Sequence, residues 1–123
     1  MKLIQIAQRA EDLDRASAFY ADLLGSAPTG RFDPPGLVFF DLDGVRLLLD
    51  RAVPSARHNL AVVDLVATVE RLRAAGVPVE GEAHMIFGHV DDALGPAGTD
   101  AWQAFVRDPE GNLVGLVEQR PRG

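Results

Sequence analysis

Residues 11–25 read Glu-Asp-Leu-Asp-Arg-Ala-Ser-Ala-Phe-Tyr-Ala-Asp-Leu-Leu-Gly, and this stretch decides how the rest of the chain is read. Asp12 sits where a helix N-cap belongs, its carboxylate able to accept from first-turn amides that have no helical partner. Leu13, Ala16, Phe19, Tyr20, Leu23 and Leu24 then recur at helical spacing, and Gly25 supplies a stop. Upstream, Lys2–Gln8 alternates around Leu3, Ile4 and Ile6 as a strand would. Downstream, Pro28, Gly30, Pro34 and Pro35 mark a loop. Leu37–Phe40 and Val45–Asp50 follow as apolar runs around Asp41-Leu42-Asp43-Gly44, a hairpin signature.

The same plan returns further along. Arg57–Val63 reads as a strand, Asp64 as an N-cap, Leu65–Ala75 as a helix and Gly76 as its end. Val77–Glu80 reads as a short strand and Gly88–Asp100 as a Gly- and Asp-rich loop. Ala101–Arg107 and Asn112–Glu118 then read as strands around Asp108-Pro109-Glu110-Gly111, with a tail from Gln119 that frays. Asp12-Leu13 superposes on Asp64-Leu65, and the turn at Asp41 superposes on the turn at Asp108. A duplicated β-α-β-β unit therefore organises the chain.

Composition sets the outer limits. A chain of 123 residues holds one domain, and 47% hydrophobic with 24% charged residues is ordinary for a folded protein. A net charge of −6 argues against nucleic acid or an anionic membrane as partner. With no Cys there is no disulfide framework, thiolate metal site or cysteine nucleophile. No apolar run approaches the roughly 20 residues of a membrane span. The opening MKLIQIAQRAEDLD turns polar too soon for a signal peptide, so the expected location is the cytoplasm.

Three segments resemble the vicinal oxygen chelate superfamily, which includes glyoxalases, bleomycin-resistance proteins and extradiol dioxygenases. They are Glu11–Gly25, Val69-Glu70-Arg71-Leu72-Arg73-Ala74-Ala75-Gly76-Val77, and Ala104–Asn112 with its Asp-Pro-Glu-Gly-Asn. The resemblance implies an α+β fold of two tandem βαβββ modules, about 1–52 and 53–119, in one domain. Their curled mixed sheets would form a cleft, usually in a homodimer.

Side chains alternate faces along a strand, so each sheet is expected to turn one face to its helix and one to the cleft. Phe105, Val114 and Leu116 are assigned to the helix side, and Trp102, Ala104, Val106, Leu113, Gly115 and Val117 to the cleft. The repeat then sends Leu37, Phe39, Arg46, Leu48 and Asp50 to the cleft, with Gln5, Ala7 and Arg9 beside them. Ile4 and Ile6 go to the helix, and Arg57, Asn59 and Ala61 to the cleft. Metal-using members of the family carry one ligand on the first and one on the last strand of each module. Here those positions hold Gln5, Leu48, Arg57 and Gly115, of which Leu and Gly cannot ligate and Arg repels a cation. No metal is therefore expected. A shifted register would instead offer Gln5, Asp50, His58 and Glu118 to a divalent Zn, Ni, Fe or Mn, at the cost of turning Leu60 and Val62 into the cleft.

His84 and His89 flank Phe87 in a segment read either as a mobile lid with an acid–base imidazole or as a solvated loop. Trp102 is the single Trp, read as a stacking surface or as wall packing. Arg9, Arg46 and Arg57 offer paired donors to an anion, or pair with acids such as Asp50. Three functions stay open. The first is a metal-independent binder of a small organic ligand, using Gln5, Phe39, Arg46, Leu48, Arg57 and Trp102. The others are a divalent-metal lyase, epimerase or dioxygenase, and a non-catalytic structural dimer.

Overall fold

A computed structural model describes residues 3–122; Lys2 of the expected first strand and Gly123 of the tail lie outside the described residues. The element order is β1 (Gln5–Arg9), α1 (Leu13–Leu24), β2 (Gly30–Phe32), β3 (Leu37–Leu42) and β4 (Val45–Asp50), then β5 (His58–Ala61), α2 (Leu65–Ala74), β6 (Val79–Gly88), β7 (Thr99–Arg107) and β8 (Leu113–Pro121). The strands form two four-stranded sheets of the same order, β1-β4-β3-β2 and β5-β8-β7-β6. In each, the outer β1 or β5 runs parallel to the last strand and the remaining pairs are antiparallel. The duplicated α+β architecture read from the sequence is therefore present. Residues up to Ala56 together with Asp108–Asn112 make one compact unit, and Arg57–Arg107 with the residues from Leu113 onward make the other.

In the first unit, Asp12 caps α1 by accepting from the Arg15 amide at 3.0 Å, and Gly25 ends it at φ 70°. Leu13, Ala16 and Tyr20 of α1 are buried, as are Val38, Phe40, Leu47 and Leu49 of the sheet. Alternation puts those four sheet residues on one face, so Leu37, Phe39, Arg46, Leu48 and Asp50 occupy the other. The β3–β4 hairpin closes through Asp43 and Gly44, at φ 52° and 92°, the positive angles that a two-residue turn of right-handed strands requires.

In the second unit, Asp64 caps α2 through the Ala67 amide at 3.0 Å. Leu65, Val69 and Leu72 of α2 are buried, and so are Ala104, Val106, Val114 and Leu116 of the sheet. Residues opposed in an antiparallel ladder share a face, and the ladder opposes Val106 to Val114, Ala104 to Leu116 and Trp102 to Glu118. Trp102, Ala104 and Val106 therefore lie on the helix side, and Phe105 lies on the other with Gly115. This corrects the expected faces of β7.

The cause is a single residue. The ladders oppose Phe39 to Leu48 and Phe105 to Gly115, so the repeat offset is 67 from β4 to β8 but 66 from β3 to β7. The second turn is one residue longer than the first, and a one-residue slip turns every side chain over.

Further expectations change. Gly30–Phe32, read as loop, is a three-residue edge strand paired with β3 between the flanking prolines. The first strand begins at Gln5, leaving Ile4 outside it and 61% exposed instead of against the helix. The short strand at Val77–Glu80 is the ten-residue β6, whose irregular register between Glu80 and His84 and between Met85 and Phe87 hides the period of two. His84 thus belongs to a strand, while the His89 ring is buried 4.9 Å from that of Phe87. The tail does not fray within the described residues: Gln119, Arg120 and Pro121 pair with β7, and Arg122 Nε donates to Asp100 Oδ1 at 2.7 Å.

The turn Asp108–Asn112 anchors the first unit. Asp108 is 4% exposed and accepts from Tyr20 Oη (2.8 Å), the Glu110 amide (2.9 Å), the Asn112 amide (2.8 Å) and Asn112 Nδ2 (2.9 Å). Burial, reinforced by the Asp108 charge, pushes the Tyr20 phenol above its ordinary range. Glu110 accepts from Arg15 and from the Glu11 and Asp12 amides at the start of α1. Burial works to raise the Glu110 carboxyl, but the Arg15 bond and those amides outweigh it and hold the group below the usual carboxylate range.

Candidate functional site

On the helix-free face of the first sheet, β1 brings Gln5, β3 brings Phe39 and β4 brings Arg46 into one place. Gln5 and Arg46 are opposed in the parallel ladder, and Arg46 Nε donates to Gln5 Oε1 at 3.1 Å. The Arg46 guanidinium lies 5.9 Å from the centre of the Phe39 ring, which meets Phe32 edge to face at 5.9 Å. With Thr29 and Gly30 these residues line a pocket of about 330 Å³. Leu48 opposes Phe39 on the same face and is 7% exposed.

The second sheet repeats the device with different donors. Arg57, just before β5, stands 4.7 Å from the centre of the Phe105 ring. Asn59 opposes Gly115, and Gln103 Nε2 donates to Asn59 Oδ1 at 3.1 Å. The space a Gly115 side chain would fill is taken, because a Cβ there would stand 1.9 Å from Asn59 Oδ1. Neither Arg46 nor Arg57 forms an ion pair among the described residues, although the chain carries a net charge of −6. Arg31 and Arg51 share Asp33, and Arg120 and Arg122 pair with Glu118 and Asp100.

The other expected site residues stand elsewhere. Trp102 is on the helix side, its ring covered by Arg120 at 4.3 Å. Arg9 is exposed and paired with Glu11 at 3.6 Å. Of the shifted metal set, Gln5 and Asp50 are on the helix-free face of the first sheet, and Asp50 Oδ1 accepts from the Ala52 amide at 2.8 Å. His58 opposes Val114 on the helix side of the second sheet and is 7% exposed. Glu118 is also on the helix side; it accepts from the Leu65 amide at 2.6 Å, satisfying the start of α2. Within the second unit, His58 and Glu118 thus face the helix, as the unshifted alternation has them.

The model of the Glyoxalase/Bleomycin resistance protein/Dioxygenase superfamily matches residues 2–116. The chain belongs to this superfamily. Among curated relatives of the superfamily chain, a lactoylglutathione lyase of Haemophilus influenzae is 28% identical over 138 aligned positions, covering 98% of this chain and 94% of that protein. Among solved structures, lactoylglutathione lyase from Agrobacterium tumefaciens matches with a TM-score of 0.69 at 27% identity, over 95% of this chain and 92% of that one. TnmS3, an antibiotic-binding protein from Streptomyces sp. CB03234, matches with a TM-score of 0.74 at 22% identity, over 97% and 96%, and shows likeness of fold.

The positions at which the resemblance expects metal ligands do not fit a divalent ion. Leu48 and Gly115 offer no donor atom, the Gln5 oxygen already accepts from Arg46, and Arg57 brings a positive charge. No cluster of three or more His, Cys, Asp or Glu side chains suited to a metal occurs among the described residues. Alternation in the sequence put Gln5, Phe39 and Arg46 on the helix-free face of the first sheet, while Phe32, Thr29 and Gly30 of the same pocket, and Gln103 and Phe105 of the second sheet, were not among the expected site residues. Phe105 was missed because Asp41–Gly44 and Asp108–Gly111 are equally long in the sequence, and the added residue appears only in the pairing of the strands. Phe32 carried no signal beyond a lone aromatic among prolines.

Proposed function

We propose that this superfamily member binds a small organic molecule without a metal, on the helix-free face that carries Gln5, Phe39, Arg46 and Leu48. The observation that supports this reading is the replacement of metal donors by Leu48, Gly115 and Arg57, with the Gln5 oxygen held by Arg46. Each sheet instead carries an arginine over a phenylalanine ring, Arg46 by Phe39 and Arg57 by Phe105, with no acidic partner among the described residues. Such guanidinium groups attract a ligand's anionic or π-rich part and supply binding. In this reading the chain works in the cytoplasm as a homodimer, the assembly that the family resemblance implies.

A second reading, a metal-dependent lyase, is favoured by the 28% identity to the H. influenzae lactoylglutathione lyase. An assay for lactoylglutathione formation in the presence of Ni or Zn separates the two. The binding reading predicts a rate no greater than that of buffer with metal alone. Metal-dependent formation that scales with protein concentration would establish the lyase instead.

A further inference from the structure

We infer that the pocket of the first unit selects a planar aromatic monoanion, with its acid group on Arg46 and Gln5 and its ring against Phe32 and Phe39. The inference deepens the binding reading above and rests on it.

Charge comes from what is left over at the rim. Arg46 uses Nε on Gln5 Oε1, and its two terminal nitrogens have no partner among the described residues. Gln5, having spent its oxygen, offers its Nε2 as a donor. The Thr29 hydroxyl is already committed to the Phe39 carbonyl at 3.2 Å. The pocket's one charged side chain is thus a cation, and the Arg46 terminal nitrogens and Gln5 Nε2 are the hydrogen-bond donors it still offers a ligand. That set suits a carboxylate or similar monoanion and disfavours a cation or a dianion.

Shape comes from the two rings. Phe32 is 55% exposed, a large aromatic left open at the mouth of a pocket. Its edge-to-face contact with Phe39, at an interplanar angle of 74°, makes a corner that a flat ring completes. Gly30 keeps that corner clear, since a Cβ there would stand 3.3 Å from the Phe32 ring. A volume of about 330 Å³ lies at the lower end of the roughly 300–1,000 Å³ typical of small-molecule sites, which limits the occupant to a few rings.

The test uses the full ¹⁵N-labelled chain titrated with 2-naphthoate, followed through the Thr29 and Gly30 amides. 2-Naphthamide supplies the same ring without charge, and cyclohexanecarboxylate the same charge without an aromatic ring. Naphthoate is expected to bind about tenfold or more tightly than either. Arg46→Gln, at an exposed position, should weaken naphthoate about tenfold and leave naphthamide within about twofold. Gly30→Ala should weaken both naphthyl compounds. Equal binding of naphthoate and naphthamide, or an Arg46→Gln variant that binds naphthoate unchanged, would overturn the inference. A chain that takes up a metal yet keeps this preference defeats the metal-free reading and supports the pocket assignment. A metal-free chain whose Thr29 and Gly30 amides do not respond defeats the pocket assignment alone.

Discussion

Val106→Glu should abolish folding, whereas Phe105→Glu, one residue away, should leave a folded chain. Val106 is 0% exposed and opposes Val114 beneath α2. A glutamate there either buries an unpaired carboxylate or folds only when protonated. Either route costs about 4 kcal/mol or more, comparable to the whole stability of a small domain. Phe105 lies on the helix-free face beside Arg57, so a glutamate in its place gains a cationic neighbour in exchange for the ring contact. Circular dichroism of the two variants checks the pair. Had the offset of 67 held along β7, the outcomes would be reversed, with Val106→Glu tolerated and Phe105→Glu unfolded.

Asp108→Ala should lower stability by about 3–5 kcal/mol, because one buried carboxylate serves four donors. Two of those donors are turn amides, one is the Asn112 side chain, and one is the Tyr20 hydroxyl from within α1. At roughly 3–5 °C per kcal/mol for a chain of this size, the melting temperature should fall by about 10–20 °C. Tyr20→Phe removes a single partner and should cost about 1–2 kcal/mol. Thermal melts of the two variants are the check. A loss below about 1 kcal/mol for Asp108→Ala would show that the turn does not anchor the first unit.

Local chemistry was readable in the sequence wherever it acts over a few residues. Asp12, Gly25 and Asp64 took their expected capping positions because an N-cap or a left-handed stop is decided within one helical turn. Long-range pairing was not readable in the same way. Asp-Pro-Glu-Gly-Asn announces a turn, but nothing in it names Tyr20, 88 positions away, as the partner of its Asp. β6 escaped because bulges break alternation, and most of this edge strand is exposed and carries no burial pattern. On the first sheet Gln5, Phe39 and Arg46 were found together because alternation holds there without interruption. Trp102 was misplaced by the extra residue in the second turn. Arg57 reached its expected face because Asp64 fixes the register of β5 from the helix side.

The most direct measurement is metal content after incubating the purified chain with Ni, Zn, Fe or Mn and dialysing, with thermal melts of each sample. Leu48, Gly115, Arg57 and the engaged Gln5 predict well under about 0.1 ion per chain and no rise in melting temperature, because an ion that does not bind the folded state does not stabilise it. One ion per chain, with a rise of several degrees that Gln5→Ala removes, would contradict the account and restore metal chemistry to this fold.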